Sequence, residues 1–241
     1  MNTKPIKLSS AFFMFLLPGI WFYIIIKILV PVSAELTGIS NYIVWLILGT
    51  LLLNVPLFLY TIFLTKREGY ITFKAIIERL KVKNITFRDI LWIVKSVIAA
   101  AVLTGVIILA YSKISAAFDI NSLRDISPIA VVPLVGTQRI FLVFLPVFFF
   151  FNYVGEEVLW RGYILPRQLV SRYSKYACII NAIMHCVYHL AFGIKPLVLM
   201  IPFMILMPYI AYKRDNTTAS IIVHFLIGAP AQTLIALGYM M

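Results

Sequence analysis

A series of long apolar runs constrains this chain more than any other feature. Each run spans about 17–24 residues, the length that an α-helix needs to cross a hydrocarbon core of about 30 Å. The residues are 62% hydrophobic and 12% charged, whereas soluble domains are about half apolar and a quarter charged. The sequence therefore predicts an all-α fold, a polytopic membrane helical bundle, and not a soluble enzyme.

Seven transmembrane spans can be placed along the chain. They lie at about residues 11–30, 42–64, 91–112, 140–160, 177–194, 196–212 and 217–238. We expect the first to be uncleaved, because it exceeds the roughly 7–15-residue core of a secretory signal. A further segment within 113–139, where 126–135 is moderately apolar, would raise the count from seven to eight. A complete span there would reverse the charge pattern, so a re-entrant segment fits better.

The basic residues are distributed unevenly between the two sides of the predicted membrane. Of the 21 lysines and arginines, 15 lie in the N-terminus, the connections 65–90 and 161–176, and the pair 213–214, whereas 4 lie in the intervening connections. This asymmetry predicts a cytoplasmic N-terminus, and the Lys-rich, Ile-rich composition is typical of a bacterial cell membrane protein. The net charge of +12 then indicates contacts with anionic lipid headgroups rather than nucleic acid.

Within one membrane domain, the chain divides into two parts. Residues 1–139 are predicted to form N-terminal membrane helices with a cytoplasmic loop at 65–90, and residues 140–230 to form the core that carries the chemistry. Apolar residues at positions 73, 76, 77 and 80 of the loop follow helical spacing. They predict a short amphipathic helix at the membrane interface.

Ionisable residues inside the predicted spans mark a candidate site. Glu156 and Glu157 end the fourth apolar run, and the chain's three histidines, His185, His189 and His224, lie in later spans. A charged side chain at the centre of a membrane helix costs about 2.5–3.5 kcal/mol on insertion scales, so such residues indicate a function. At 1.5 Å per residue, Glu156, His189 and His224 lie about 11–18 Å from the same membrane side. We therefore expect three helices to bring them together.

The two glutamates are expected to differ in role. Glu157 and Arg161 stand four residues apart, in the acid-first order that favours an ion pair on a helix. Glu156 points about 100° away and lacks that partner, which suits a general base. Asn152, one turn earlier, shares its face and is expected to hydrogen-bond it. An inert ion pair at the membrane interface would also explain Glu157 and Arg161.

The spacing of the histidines is also compatible with a metal site. His185 and His189 lie four residues apart on one helix face, a spacing that can ligate zinc. The residue after His185 is Cys186, where zinc metalloproteases with this spacing place a glutamate. A histidine pair on an apolar helix also serves packing and hydrogen bonding. His224 alone would not indicate a functional site, and it does so only because it occurs with the other two histidines.

In the order of these motifs the sequence resembles the CPBP intramembrane proteases, which comprise CAAX prenyl endopeptidases and bacteriocin-processing or immunity proteins. Their signature is Glu-Glu-x-x-x-Arg, then aromatic-x-x-x-His, then His-x-x-x-Asn, each on a membrane helix. Residues 156–161 match the first motif in full, and His189 and His224 match the histidines of the other two. The resemblance covers about residues 140–230, and the ordered trio makes it specific.

Two positions depart from the signature. His185 stands where the family has an aromatic residue, and Gly228 stands where it has the asparagine. In the family this asparagine shares the binding of the oxyanion with the histidine at position 224, and loss of one such donor costs about 10²–10³-fold in rate. Gln232, one turn beyond Gly228, and Asn181 are candidates to replace it.

The resemblance implies an intramembrane endopeptidase that needs no cofactor and cuts a membrane-embedded or membrane-associated peptide. Glu156, helped by His189, would activate a water, and His224 would face the oxyanion. Glu157, Arg161, Asn152, His185, Gly228 and Gln232 would support this site.

Three alternatives stay open. One is a zinc-dependent membrane protease that uses His185, His189 and His224. Another, which Gly228 permits, is a weak or inactive relative that acts as a bacteriocin-immunity or membrane peptide-binding protein. The third is a transporter with an intramembrane proton relay.

Overall fold

The protein is a bundle of membrane-length helices, here taken from a computed structural model that describes residues 3–118 and 133–239. Within these ranges the regular structure is helical, with no strand. Eight helices follow one another: α1 Leu8–Thr37, α2 Asn41–Arg67, α3 Phe73–Arg79, α4 Phe87–Phe118, α5 Gly136–Leu169, α6 Ala177–Tyr188, α7 Ile194–Arg214 and α8 Thr217–Leu237.

Six of these helices are long and apolar enough to cross a membrane, namely α1, α2, α4, α5, α7 and α8 among the described residues. The protein is therefore an all-α, polytopic integral membrane protein, as predicted. The predicted span 177–194 instead forms the 12-residue helix α6 and a tight turn, His189–Phe192. The chain leaves this turn at Gly193, whose φ of 89° ends the helix. Most of the additional segment expected at 126–135 lies outside the described residues.

The helix that carries the two glutamates occupies the centre of the bundle. Helices α2, α6 and α8 all pack against α5. A Cβ at Gly155 would lie 3.2 Å from the Asn54 carbonyl oxygen, and one at Gly162 would lie 2.9 Å from the Leu80 carbonyl oxygen. These glycines therefore allow α2 and the end of α3 to approach α5 closely.

The end of α5 differs from the prediction. The predicted fourth span ends near residue 160, and Pro166 disfavours helix at the preceding residue, yet α5 continues to Leu169. Pro166 cannot bond the Gly162 carbonyl one turn earlier. A wide turn over Val158–Ile164 accommodates the ring, and Arg79 Nη1 donates to the Gly162 carbonyl at 3.4 Å. The freed acceptor thus has a new partner, so the helix can continue.

The amphipathic helix expected in the 65–90 loop is present as α3. The Thr72 side chain caps it by accepting from the Ala75 N–H at 3.2 Å. Ile76 is buried against the bundle, whereas Phe73 is 80% exposed. Beyond its end, Leu80 lies between α5 and α8, where its carbonyl accepts from the Thr217 hydroxyl at 2.7 Å.

Candidate functional site

The candidate site lies inside the bundle, where α5, α6 and α8 meet. Helix α5 contributes Glu156 and Glu157, which are 3% and 0% exposed. Helix α6 contributes His185 and the turn after it His189, while α8 contributes His224; all three imidazoles are buried. The residues that the motifs singled out therefore form one buried polar region.

Glu156 is held from the α6 side. Its Oε2 lies 3.1 Å from His185 Nε2, and its Oε1 accepts from the Tyr188 hydroxyl at 3.3 Å. His189 Nε2 lies 4.0 Å from the same Oε2. Glu156 is thus fixed by two side chains and faces a third that lies beyond hydrogen-bonding distance.

The hydrogen-bond partners define which nitrogen of each imidazole carries a proton. Arg161 Nη2 lies 2.9 Å from His185 Nδ1. A guanidinium only donates, so Nδ1 accepts and Nε2 carries the hydrogen that it donates to Glu156. His189 Nδ1 lies 3.1 Å from the His185 carbonyl oxygen, which only accepts. His189 therefore donates from Nδ1, and a neutral ring then keeps a lone pair on the Nε2 that faces Glu156.

His224 joins the site through the other glutamate. Glu157 Oε1 accepts from Arg161 Nη1 and from His224 Nδ1, each at 3.0 Å. Since Arg161 also bonds His185, the contacts run without a break from Glu156 through His185, Arg161 and Glu157 to His224. The expected Glu157–Arg161 pair is present, buried on both sides.

A tyrosine occupies the space beside Gly228. A Cβ at Gly228 would lie 2.8 Å from both the Oη and the Cε1 of Tyr153, closer than real Cβ atoms approach. The Tyr153 ring lies 4.6 Å from the His224 ring, centroid to centroid. Its buried hydroxyl has no hydrogen-bond partner among the described residues, which is costly unless a ligand or water supplies one. An unpaired donor therefore lies where the family's asparagine side chain would start.

Three potential metal ligands lie together here, but hydrogen bonds engage both ring nitrogens of one of them, His185. Glu156, His185 and His189 offer atoms within 4.8 Å of one another, a set without the predicted His224. A ligating imidazole must present a lone pair to the metal. His185 has none to offer, because one nitrogen accepts from Arg161 and the other carries the hydrogen.

The remaining predicted residues lie apart from these contacts. Glu156 bonds His185 and Tyr188, and the Asn152 side chain makes no hydrogen bond within the described residues, contrary to expectation. The main-chain carbonyl of Gln232 accepts from the Tyr42 hydroxyl at 2.9 Å. Asn181 donates to the Trp160 carbonyl and the Gln168 side chain, so its amide N–H groups serve packing between α5 and α6.

Sequence reasoning missed Tyr153 and Tyr188. Tyr153 stands three residues before Glu156, and Tyr188 three residues after His185. Residues three apart share a helix face, so this spacing could have indicated both. What it could not indicate is which partner each hydroxyl meets on another helix.

Replacing Arg161 by glutamine should destabilise the protein strongly. Arg161 is 1% exposed and contacts both Glu157 and His185. Breaking a buried ion pair by removing one partner costs about 3–5 kcal/mol, since the other charge stays buried. Unfolding of the purified variant in detergent measures this cost. The exposed Arg172→Gln is the control, expected within about 0.5 kcal/mol of wild type, and an equally mild effect of Arg161→Gln would contradict the prediction.

Fold and site together define a polytopic membrane protein with a buried glutamate–histidine centre. Residues 138–229 match the family model described as type II CAAX prenyl endopeptidase Rce1-like, and this range contains every residue of the site from Tyr153 to Gly228. Neither the curated proteins nor the solved structures gave a match. This match covers less than half of the chain, so the region that carries the motifs is similar to type II CAAX prenyl endopeptidases.

Proposed function

We propose that the protein hydrolyses a peptide bond of a membrane-associated protein or peptide with a water that Glu156 activates. The observation that carries this proposal is the gap of 4.0 Å between Glu156 Oε2 and His189 Nε2. Both atoms are hydrogen-bond acceptors when Glu156 is ionised and the His189 ring is neutral. They cannot bond each other, yet they lie close enough to share one donor.

In this proposal a single water bridges the gap. With two hydrogen bonds of about 2.8 Å, the acceptors would subtend an angle of about 90° at the water oxygen, near the angle between its two hydrogens. The oxygen lone pairs then point away from both acceptors, toward an incoming carbonyl carbon. The pair therefore orients a nucleophilic water and removes a proton from it.

Glu156 both accepts and returns the proton that is transferred during hydrolysis. As the water oxygen attacks the carbonyl carbon, its proton passes to the Glu156 carboxylate. Collapse of the tetrahedral intermediate breaks the C–N bond, and the same proton passes from Glu156 to the leaving amine. His185 and Tyr188 hold the carboxylate in position during both transfers.

Stabilisation of the oxyanion is assigned to Tyr153 and His224. His224 Nδ1 donates to Glu157, so His224 offers a second donor, at Nε2, only when its ring is doubly protonated. The Tyr153 hydroxyl is a donor in its ordinary state and lies beside Gly228. We therefore infer that Tyr153 replaces the missing asparagine, while Gln232 and Asn181 do not.

Gly228 also supports a second candidate function, a membrane peptide-binding or bacteriocin-immunity protein without catalysis. Hydrolysis requires the polar residues of the site, whereas peptide binding alone does not. A cellular function that survives simultaneous replacement of Glu156, His189 and His224 would support binding alone. Loss of that function, with expression intact, would support hydrolysis.

A comparison of membrane-protein termini can identify the substrate. The matched family model is named for prenyl endopeptidases. The Lys-rich, Ile-rich composition favours a bacterial cell membrane, and the distribution of basic residues favours a cytoplasmic N-terminus. The termini should be compared between cells that express the wild type and cells that express Glu156→Gln. Peptide ends that occur only with the wild type identify the substrate and its cleavage site.

Removal of metal should leave cleavage unchanged. His185 presents no lone pair, so we expect less than stoichiometric zinc in the purified protein and full activity after treatment with a chelator. Elemental analysis and cleavage assays measure both. One bound zinc per chain, together with activity that chelation abolishes and zinc restores, would favour the zinc protease instead.

A further inference from the structure

A second polar region lies where the N-terminal segment and the ends of α2, α3 and α5 meet. It is a cavity of about 790 Å³, within the range of about 300–1,000 Å³ typical of small-molecule sites. None of the residues of the glutamate–histidine site lines it. Four cations and one acid face the cavity: Lys4, Arg67, Arg79, Arg167 and Glu68.

Two arginines that line this cavity each keep one N–H group without an acceptor. Arg79, whose side chain is 4% exposed, donates from Nε to Glu68 Oε2 at 2.7 Å, but its Nη2 is buried without a partner among the described residues. Arg167 also pairs with Glu68, and its Nε is likewise buried and unpaired. One carboxylate shared by two guanidiniums leaves excess positive charge and free donors. An anion in the cavity would offset this excess positive charge.

The arginines are held in a fixed geometry. The guanidinium carbons of Arg79 and Arg167 lie 5.2 Å and 5.0 Å from the centre of the Tyr163 ring. Arg167 also donates to the Tyr163 hydroxyl at 3.1 Å. Pre-positioned guanidinium groups match the oxygens of a phosphate, which accepts from several N–H groups at once.

A groove lined by both apolar and polar residues, Lys7 and Ser10 among the latter, continues from this cavity along a membrane helix. It has a volume of about 410 Å³, shares Leu64, Tyr163 and Arg167 with the first cavity, and passes Ser10 and Met14 in the first two turns of α1. A free inorganic anion would fill only the first cavity and leave this groove empty. A molecule with a phosphate at one end and a hydrocarbon chain at the other fits both parts.

We propose that this region is a binding site for an anionic glycerophospholipid. Arg79 and Arg167 bind the phosphate, Lys4 and Arg67 at the cavity mouth add positive charge, and one acyl chain lies in the groove beside α1. This site is independent of peptide hydrolysis.

The full chain should be purified into nanodiscs that contain equal amounts of phosphatidylglycerol and phosphatidylcholine, then analysed by native mass spectrometry. We expect one phosphatidylglycerol to be retained preferentially. Each exposed cation near a membrane surface contributes about a fivefold gain in anionic lipid binding, so Lys4→Gln and Arg67→Gln should each weaken retention by about that factor. Lys66→Gln is the matched control, because Lys66 is exposed beside Arg67 and lies outside the cavity lining.

Arg79→Lys tests the buried part of the site. It keeps the charge but loses the guanidinium fork, so phosphatidylglycerol retention should fall more than in Arg67→Gln while the unfolding transition shows that the variant folds. Equal retention of the two lipids by the wild type, or equal losses in Lys66→Gln and Arg67→Gln, would overturn the proposal. Displacement of the lipid by millimolar glycerol phosphate would reassign the cavity to soluble phosphates, and displacement by an acidic peptide would reassign it to peptide binding.

Discussion

Glu156→Gln should abolish peptide cleavage while the protein stays folded. Glutamine keeps the size of the side chain, and its one oxygen can still accept from His185 while its NH₂ donates to the Tyr188 hydroxyl oxygen, but it cannot take a proton from water. Loss of a general base typically lowers the rate by about 10²–10⁴-fold, and here the same residue also returns the proton to the leaving amine. The measurement is cleavage of the peptide identified from membrane termini, together with the unfolding transition in detergent.

The control for this prediction is Glu35→Gln, which removes an exposed carboxylate from α1. It should cleave at the wild-type rate. If Glu156→Gln retains more than about a tenth of the wild-type rate, Glu156 is not the base. If it cleaves poorly because it no longer folds, its unfolding transition will have shifted, and that outcome assigns Glu156 to structure instead of catalysis.

Tyr153→Phe should lower kcat by about 10²–10³-fold, the usual effect of losing one oxyanion donor. The substitution removes only the hydroxyl and keeps the ring beside His224. Because that hydroxyl has no partner among the described residues, we expect little change in stability or in KM. Steady-state kinetics and unfolding measurements give all three quantities.

A reciprocal exchange sharpens the test of Tyr153. Gly228→Asn alone should be inactive or unstable, since its Cβ would meet the Tyr153 ring. Tyr153→Ala opens that space, so the double variant Tyr153→Ala with Gly228→Asn should recover activity relative to either single change. The control is Tyr173→Phe, which removes a hydroxyl that donates to the Ile6 carbonyl at 3.0 Å and should keep kcat. Wild-type kcat in Tyr153→Phe would exclude the role.

Hydropathy and helical spacing were sufficient to predict much of this protein. The apolar runs predicted the membrane helices to within a few residues for α2 and α8, because the thickness of a bilayer fixes the length of a span. The Glu157–Arg161 pair was also predictable, since residues four apart on one helix must be neighbours. The failure at α6 arose because the turn beginning at His189 and the backbone of Gly193 end the helix inside an apolar run.

Contacts between helices were beyond the reach of the sequence. The sequence by itself determined an all-α membrane bundle and a shared depth for Glu156, His189 and His224, because hydrophobic periodicity and the cost of burying a charge both act within one segment. Only the tertiary structure decided that His224 bonds Glu157, that Arg161 sets the proton position on His185, and that Tyr153 occupies the space beside Gly228. Each of these depends on the rotation and height of one helix against another, which side-chain packing sets and no single helix encodes.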